Sequence, residues 1–260
     1  MILKDKVAVV TGSGQGIGEG IAMLLAEEGA RVVSTDINEK LAIKTSNEII
    51  QQGGVSAGFK LDVTDSVEIQ KVIEEALKLY SRIDIWVNNA GFNHPLPVLE
   101  TSEELWDKII DINLKSVFLC SKAAAGVMVK QKSGRIINIS SVAGKIGAPF
   151  IGPYCAAKRG VIGLTEVLAI ELGKYGICVN TICPGNTKTE MFMKGMKLRA
   201  ESKGETLETL IERLAKSTAL GRLGLPEDIG KAVVFLSSSY SDFVTGQAIT
   251  VCGGRSINLS

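Results

Sequence analysis

The chain has 260 residues, of which 45% are hydrophobic and 22% are charged, so it carries enough apolar material for a large buried core. This composition excludes a disordered or low-complexity protein. The 29 basic and 28 acidic residues leave a formal net charge of +1, which lacks the one-signed field that binders of nucleic acid or anionic membranes use. We therefore expect neither a nucleic-acid nor a membrane partner.

The sequence also gives no sign of a targeting segment or of a metal site. The longest stretch without a charged side chain, Ile85–Leu99, contains asparagines and prolines and is shorter than the ~20 apolar residues of a membrane span. The N-terminus leads directly into a strand-like run, without the apolar region of a secretory signal. The five cysteines are scattered and form no CxxC pair. We expect a cytoplasmic location, reduced thiols and no bound metal.

Short β-branched runs alternate with longer amphipathic stretches along the chain. The predicted strands are Val7–Thr11, Arg31–Thr35, Val55–Leu61, Ile85–Val87, Arg135–Ile139, Cys178–Ile182 and Ala248–Val251. The predicted helical stretches are Gly16–Glu28, Asn38–Gln52, Ser66–Ser81, Ser102–Lys132 and Tyr154–Lys174. This alternation predicts an α/β fold with a parallel sheet and helices on both faces, and no linker divides it, so residues 1–260 are expected to form a single domain.

One segment departs from this alternation. Residues 189–218 are helical in pattern, are rich in charge and methionine, and contain no strand. Because the segment follows the carboxyl end of a strand, it is expected to lie over the crevice where open α/β sheets bind ligands. We interpret it as a substrate lid, with Met191, Phe192, Met193 and Met196 as an adaptable wall.

A glycine-rich loop, TGSGQGIG, connects the first strand to the first helix. Glycines let a pyrophosphate approach the backbone, and the start of a helix offers unpaired N–H groups. The glycines at 12, 14, 16 and 18 do not match GxGxxG but read as TGxxxGxG. Asp36 ends the second strand, where a carboxylate accepts hydrogen bonds from the ribose hydroxyls of NAD and repels the 2′-phosphate of NADP. The two signals together predict a dinucleotide site that favours NAD.

Tyr154 and Lys158 stand four residues apart within YCAAK, on one face of the predicted helix. A phenol titrates near pH 10, and a positive charge about 4 Å away lowers its pKa by about three units. We therefore expect Lys158 to lower the pKa of Tyr154 and to make it an acid and base near neutral pH.

TGSGQGIG, NNAG, ISS and YCAAK occur in this order and at the spacing of the short-chain dehydrogenases/reductases, and the chain resembles that family along nearly its whole length. The resemblance implies a Rossmann-type doubly wound sheet of seven strands in the order 3-2-1-4-5-6-7. It implies that Ser141 binds the substrate oxygen and that Tyr154 is the general acid and base. It further implies that Lys158 holds the nicotinamide ribose and that Asn113 supports a water-linked proton relay.

The resemblance also implies a set of cofactor contacts. Asp62 and Val63 resemble the pair that brackets the adenine, and Asn89 resembles the residue beside the adenine ribose. Thr187 and Thr189 resemble the residues that contact the carboxamide. The full set of expected cofactor-binding residues is Gly12, Gln15, Gly16, Ile17, Gly18, Asp36, Asp62, Val63, Asn89, Ala90, Gly91, Tyr154, Lys158, Pro184, Gly185, Thr187 and Thr189. Gln15 stands where relatives that prefer NADP often have Arg or Lys, which agrees with Asp36.

Two positions depart from the family pattern. Cys155 stands where Ser or Gly is frequent, and Cys252 stands where Asp is usual. A Ser-His-Asp hydrolase is disfavoured, since His94 is the only histidine and lies in a loop pattern. A non-catalytic protein that senses NAD stays an alternative, although all four catalytic residue types are present.

We expect an NAD(H)-dependent oxidoreductase that acts on a secondary alcohol such as a polyol, diol or sugar alcohol, because the lid resembles that of polyol, acetoin and sugar-alcohol dehydrogenases. Reduction of 3-oxoacyl thioesters and oxidation of hydroxysteroids are the alternatives. Small and apolar residues on several faces of Ser102–Lys132 and Tyr154–Lys174, together with the resemblance, predict a homotetramer or at least a dimer.

Overall fold

The computed structural model describes residues 1–255, apart from the side chains at positions 191, 198, 202 and 203. The last five residues of the predicted domain and the side chain of Met191 therefore lie outside the described part. A single parallel sheet has the strand order β3-β2-β1-β4-β5-β6-β7, which confirms the expected topology. Its strands are β1 Val7–Thr11, β2 Arg31–Asp36, β3 Val55–Lys60, β4 Ile85–Asn88, β5 Gly134–Ile139, β6 Ile177–Pro184 and β7 Ala248–Val251.

Helices cover both faces of this sheet. They are α1 Gly16–Glu27, α2 Glu39–Gln51, α3 Ser66–Tyr80, α4 Glu103–Ile110, α5 Ser116–Gln131, α6 Gly152–Leu172, α7 Glu190–Lys203, α8 Leu207–Lys216 and α9 Pro226–Ser237. The inner strands are mostly apolar because both of their faces are buried, and every residue of β1 and β4 is buried. One core includes side chains from α1 and α9, and the other includes side chains from α3, α5 and α6.

The first and the last of these helices pack against each other through two glycines. A Cβ on Gly20 of α1 would lie 2.6 Å from the Cβ of Pro226, and one on Gly230 of α9 would lie 2.5 Å from Leu24 Cδ1. Real Cβ atoms do not approach so closely, so these glycines allow the two backbones to come together. Ile21 and Ile229 are fully buried in the same core.

The predicted helix over Ser102–Lys132 is interrupted by a π-helical turn at Asp111–Lys115, which separates α4 from α5. At its centre, Asn113 Nδ2 donates to the carbonyl of Ile109 at 2.9 Å and to that of Phe92 at 2.6 Å. Such turns occur often at functional sites. By length and composition alone, the helical stretch Glu103–Gln131 is apolar enough to cross a membrane, and 44% of its most apolar window is buried inside the protein.

The segment over 189–218 contains α7 and α8 and no strand, as the sequence predicts. Thr189 caps α7, because its side chain accepts a hydrogen bond from the backbone N–H of Phe192. An isolated bridge between Thr187 and Gly224 joins the two ends of the segment. Helix α9, which follows it, is an element that the sequence analysis did not predict.

Candidate active site

The glycine-rich loop lies at the carboxyl end of β1 and leads into α1. Gly12 and Gly16 have φ values of +59° and +63°, a conformation that side chains disfavour. A Cβ on Gly18 would lie 2.1 Å from the Gly12 carbonyl oxygen, so only glycine fits where the helix begins. No side chain caps the start of α1, which leaves its first N–H groups free to bind an anion.

Asp36 ends β2 beside this loop and is 9% exposed. Its Oδ2 accepts a hydrogen bond from the Gly14 N–H at 3.1 Å, and its Oδ1 accepts one from the Asn38 N–H at 2.9 Å. These two bonds fix the carboxylate at the edge of the cleft described next. The negative charge of Asp36 is thereby held directly beside the glycine-rich loop.

A cleft of about 930 Å³ runs along the carboxyl ends of the strands. Most of the residues that the sequence predicted for the site line it: Gly12, Gln15, Gly16, Ile17, Gly18, Asp36, Asp62, Val63, Asn89, Ala90, Gly91, Ser141, Tyr154, Lys158, Pro184, Gly185 and Thr189. Clefts of this size hold small molecules and cofactors, and in open parallel sheets they lie at this edge.

Ser141 and Tyr154 both line this cleft, and their hydroxyls lie close enough to interact. Ser141 follows β5 and also accepts a bond from the Ala143 N–H, while Tyr154 lies in the first turn of α6. Lys158 follows one helical turn later and is 3% exposed. Its Nζ donates to the carbonyl of Ile139 at 2.9 Å and lies 5.5 Å from the centre of the Tyr154 ring.

The pKa values of this pair differ from the expectation. Burial raises the pKa of Tyr154 to about 12, and the interaction with Ser141 opposes this rise. Burial also lowers the pKa of Lys158 to about 8. The expected lowering of the Tyr154 pKa by Lys158 is not found. Desolvation therefore dominates over the neighbouring charge.

Asn113 and Thr187 do not line the cleft. The side chain of Asn113 is fully buried, and all of its hydrogen bonds go to the backbone of Ile109 and Phe92. It fixes the π-helical turn and the chain that follows Gly91. Thr187 is buried, and its hydroxyl donates to the carbonyl of Gly185, so it supports the turn after β6.

Further residues line the cleft that the sequence analysis did not single out: Ile37, Leu61, Thr64, Phe92, Asn93, Lys108, Asp111, Ile112, Ile139, Ser140 and Glu190. Most of them adjoin predicted site residues along the chain. Lys108 is different, since it reaches the cleft from α4 and its Nζ lies 5.0 Å from the centre of the Phe92 ring. No motif marks it, because a lone lysine on an amphipathic helix reads as part of a solvated face.

The residues present fit a bound nicotinamide dinucleotide. The pyrophosphate would fit at the glycine-rich loop, where a Cβ on Gly18 would take up the space, and at the start of α1, which no side chain caps. The Asp36 carboxylate can accept hydrogen bonds from ribose hydroxyls. Tyr154, Ser141 and Lys158 line the same cleft. When bound, such a cofactor supplies hydride transfer, while the chain supplies binding, orientation and proton transfer. Among residues 1–255, no group of acidic, histidine and cysteine side chains could hold a metal ion.

Comparisons with known proteins agree with this geometry. The family model described as enoyl-(acyl carrier protein) reductase matches residues 12–256. A (2S)-[(R)-hydroxy(phenyl)methyl]succinyl-CoA dehydrogenase subunit from Thauera aromatica is 39% identical, and the match covers 99% of each chain. A 3-oxoacyl-[acyl-carrier-protein] reductase from Thermotoga maritima is 38% identical over 98% of this chain and 99% of its own.

The fold is similar to solved structures as well. The crystal structure of a putative gluconate dehydrogenase from Agrobacterium tumefaciens matches with a TM-score of 0.91 and 32% identity. The match covers 99% of this chain and 98% of that one. The similarity therefore extends over the sheet, the helices and the segment over 189–218.

Proposed function

Because the chain belongs to the short-chain dehydrogenase/reductase family of oxidoreductases, we propose that it transfers hydride between NAD(H) and a secondary alcohol or its ketone. The observation that carries this proposal is that Ser141, Tyr154 and Lys158 line the same cleft as the glycine-rich loop, with Lys158 one helical turn after Tyr154. Groups that can transfer a proton and N–H groups that can bind an anion in one cleft suit this chemistry.

In the reduction direction, Ser141 holds the ketone oxygen and Tyr154 donates its phenolic proton to it. A phenol with a pKa of about 12 is protonated at neutral pH, which suits this donation. In the oxidation direction, the Tyr154 oxygen takes the proton of the alcohol hydroxyl. Lys158 places its ammonium close to the Tyr154 ring, and Asn113 holds the π-helical turn in place through the backbone of Ile109 and Phe92. Bound NAD(H) supplies the hydride donor or acceptor.

The preference for NAD is supported by Asp36. Its carboxylate is fixed by Gly14 and Asn38, and neither Gln15 nor Ile37 next to it is basic. A 2′-phosphate at this end of the cleft would meet a like charge without a cation to offset it, and such a contact costs several kcal/mol. Comparison of kcat/KM for NAD and NADP tests this directly, and equal use of NADP would refute it.

For the substrate we propose a small hydroxylated compound such as a polyol, diol or sugar alcohol. The putative gluconate dehydrogenase that matches over 99% of the chain supports a polyhydroxylated substrate. We propose that α7 and α8 form a lid over this part of the cleft, with Phe192, Met193 and Met196 in its wall. The 3-oxoacyl-[acyl-carrier-protein] reductase favours thioesters as a second candidate, and hydroxysteroids are a third.

The deciding experiment is a panel of kcat/KM values with NAD(H) as the cofactor. Polyols and small diols are compared with a 3-oxoacyl thioester and a hydroxysteroid. The proposal requires that a hydroxylated small molecule ranks first, and a thioester or steroid ahead by about a hundredfold, or 2.7 kcal/mol, would overturn it. Binding of NADH without turnover of any of these compounds would favour the non-catalytic alternative.

We also propose a cytoplasmic homotetramer. Phe118 on α5 and Ile170 on α6 are 45% and 82% exposed, and this arrangement leaves apolar surface on the two helices that the resemblance assigns to a four-helix contact. Light scattering on the purified protein tests the assembly, because a mass near the 27.6 kDa of one chain would refute it.

A further inference from the structure

A row of polar side chains crosses the sheet below the catalytic residues. Asn88, Asn138 and Thr181 are register partners on β4, β5 and β6, and each of them is at most 3% exposed. Asn88 Nδ2 donates to Asn138 Oδ1 at 2.8 Å. Buried amides and hydroxyls in neighbouring strands cost free energy unless they are paired, so this row calls for an explanation.

This row of polar side chains is hydrogen bonded to two helices, α5 and α6. Asn88 Nδ2 also donates to Ser121 Oγ on α5 at 2.9 Å. Asn138 Nδ2 donates to Thr165 Oγ1 on α6 at 2.8 Å, and the hydroxyls of Thr165 and Thr181 are 2.6 Å apart. Ser121 and Thr165 are both fully or almost fully buried. Each helix is thus joined to the sheet by a side-chain hydrogen bond in addition to its apolar packing.

The attachment of α6 bears on the active site. Lys158 lies two helical turns before Thr165, so the two side chains leave the helix on the same face. The carbonyl that accepts the Lys158 ammonium belongs to Ile139, the residue directly after Asn138. Asn138 therefore connects to α6 at Thr165, and its neighbour connects to α6 at Lys158. Two adjacent residues of β5 determine where this helix lies on the sheet.

We propose that Asn138 and Thr165 are positioning residues for Tyr154 and Lys158. Their hydrogen bond fixes the height and rotation of α6 on β5, which places the Lys158 ammonium at the Ile139 carbonyl and the Tyr154 hydroxyl at Ser141. The part of this inference that concerns turnover rests on the proposed function. Because a displacement of about 1 Å at reacting groups can cost about a hundredfold in rate, a loose helix would be inactive without being unfolded.

The test compares two variants of Thr165 with a control in the same row. Thr165→Val keeps the shape but removes the hydroxyl, and Thr165→Ser restores the hydroxyl. Ser121→Ala removes a bond of the same row that holds α5, which carries neither Tyr154 nor Lys158. The measurements are kcat, KM, the Kd of NADH from its fluorescence, and Tm. All assays are made well below the lowest Tm.

We expect Thr165→Val to lower kcat by at least about tenfold with little change in KM for the alcohol, and to weaken NADH binding severalfold through Lys158. Thr165→Ser should stay within about twofold of the parent protein. Ser121→Ala should lower Tm but leave kcat and the NADH Kd unchanged. If Thr165→Val does not fold, Thr165→Ala takes its place against Ser121→Ala.

Three results would overturn the positioning role. In the first, Thr165→Val has a lower Tm but keeps the kcat and the NADH affinity of the parent. In the second, Thr165→Ser is as impaired as Thr165→Val, and in the third, Ser121→Ala shows the same loss of kcat as Thr165→Val. Failure of the parent protein to bind NADH contradicts the proposed function instead. Equal NADH binding and equal kcat in parent and Thr165→Val contradict the positioning role alone.

Discussion

The Lys158 ammonium lies over the Tyr154 ring, 5.5 Å from its centre. Its hydrogen bond goes to the carbonyl of Ile139. The Lys158 ammonium is therefore held by the backbone of β5, whereas the Tyr154 phenol interacts with Ser141. This division of partners allows the role of each residue to be tested separately.

Tyr154→Phe should lower kcat by about 10²–10⁴-fold, because it removes the group that donates and accepts the substrate proton. The ring stays, so the Kd of NADH should change little. The measurement is steady-state turnover of the best substrate together with NADH fluorescence. Tyr175→Phe serves as the control, since Tyr175 packs in the core on one face of the sheet. Retention of more than about a tenth of the parent kcat would contradict the assignment.

Lys158→Met should raise Tm by several degrees at pH 7 while it abolishes turnover. Burial lowers the pKa of Lys158 from 10.5 to about 8, which corresponds to about 3 kcal/mol as an upper figure. Below pH 8 the folded protein holds Lys158 as a buried charge, so the full free-energy cost of burying that charge lowers its stability. Between pH 8 and 10.5 the unfolded chain binds more protons than the folded one, so stability rises with pH.

The stabilisation by Lys158→Met should accordingly shrink as the pH rises from 8 and vanish near 10.5. Calorimetry of both proteins at equal concentration across this range measures it. An unchanged or lower Tm at pH 7, or an advantage that does not depend on pH, would show that the buried ammonium does not destabilise the fold.

Asp36→Asn should reduce the preference for NAD over NADP by at least about tenfold, because it removes the charge that repels a 2′-phosphate. The amide oxygen can still accept from the Gly14 N–H and hold the loop, at the expense of the bond from the Asn38 N–H. Asp62→Asn is the matched control, since Asp62 lines the same cleft. The preference is the ratio of kcat/KM for the two cofactors, and an equal change in both variants would rule out a specific role of Asp36.

Gly18→Ala should abolish measurable NADH binding, because its Cβ would lie 2.1 Å from the Gly12 carbonyl and 2.4 Å from Asn89 Nδ2. Gly195→Ala is the control, since a Cβ there meets nothing within 4 Å in the helix α7. It should leave NADH affinity unchanged and stabilise the helix by up to about 1 kcal/mol. Fluorescence titration compares the two, and normal NADH binding by Gly18→Ala would contradict the described loop geometry.

Much of the fold was predictable because buried parallel strands leave a strong local signal. β1 is a continuous run of β-branched or apolar residues, β6 is one apart from Asn180, and the glycine-rich loop follows directly from β1. Helix α9 was not predicted, although Pro226 at its first position is a helix-start signal that the sequence contains. The interruption of Ser102–Lys132 was missed for a different reason, since it depends on Asn113 binding Phe92, 21 residues earlier in the chain.

The site was predictable where residues follow strands or share a helix face, as for Ser141, Tyr154 and Lys158. The pKa of Tyr154 was not, because a charge four residues away is visible in the sequence, whereas desolvation depends on every element that packs around the phenol. Lys108 was also missed, since its place in the cleft depends on how α4 lies against the chain after β4.

The close packing of α1 against α9 has a consequence for how the cofactor loop becomes rigid. The loop lies within the first twenty residues, but the helix that follows it rests on Pro226 and on Ile229, which lie more than two hundred positions later. During synthesis, the loop residues leave the ribosome long before the surface that supports them. Dinucleotide affinity should therefore develop late and all at once, and a nascent chain that ends before residue 226 should not retain NADH.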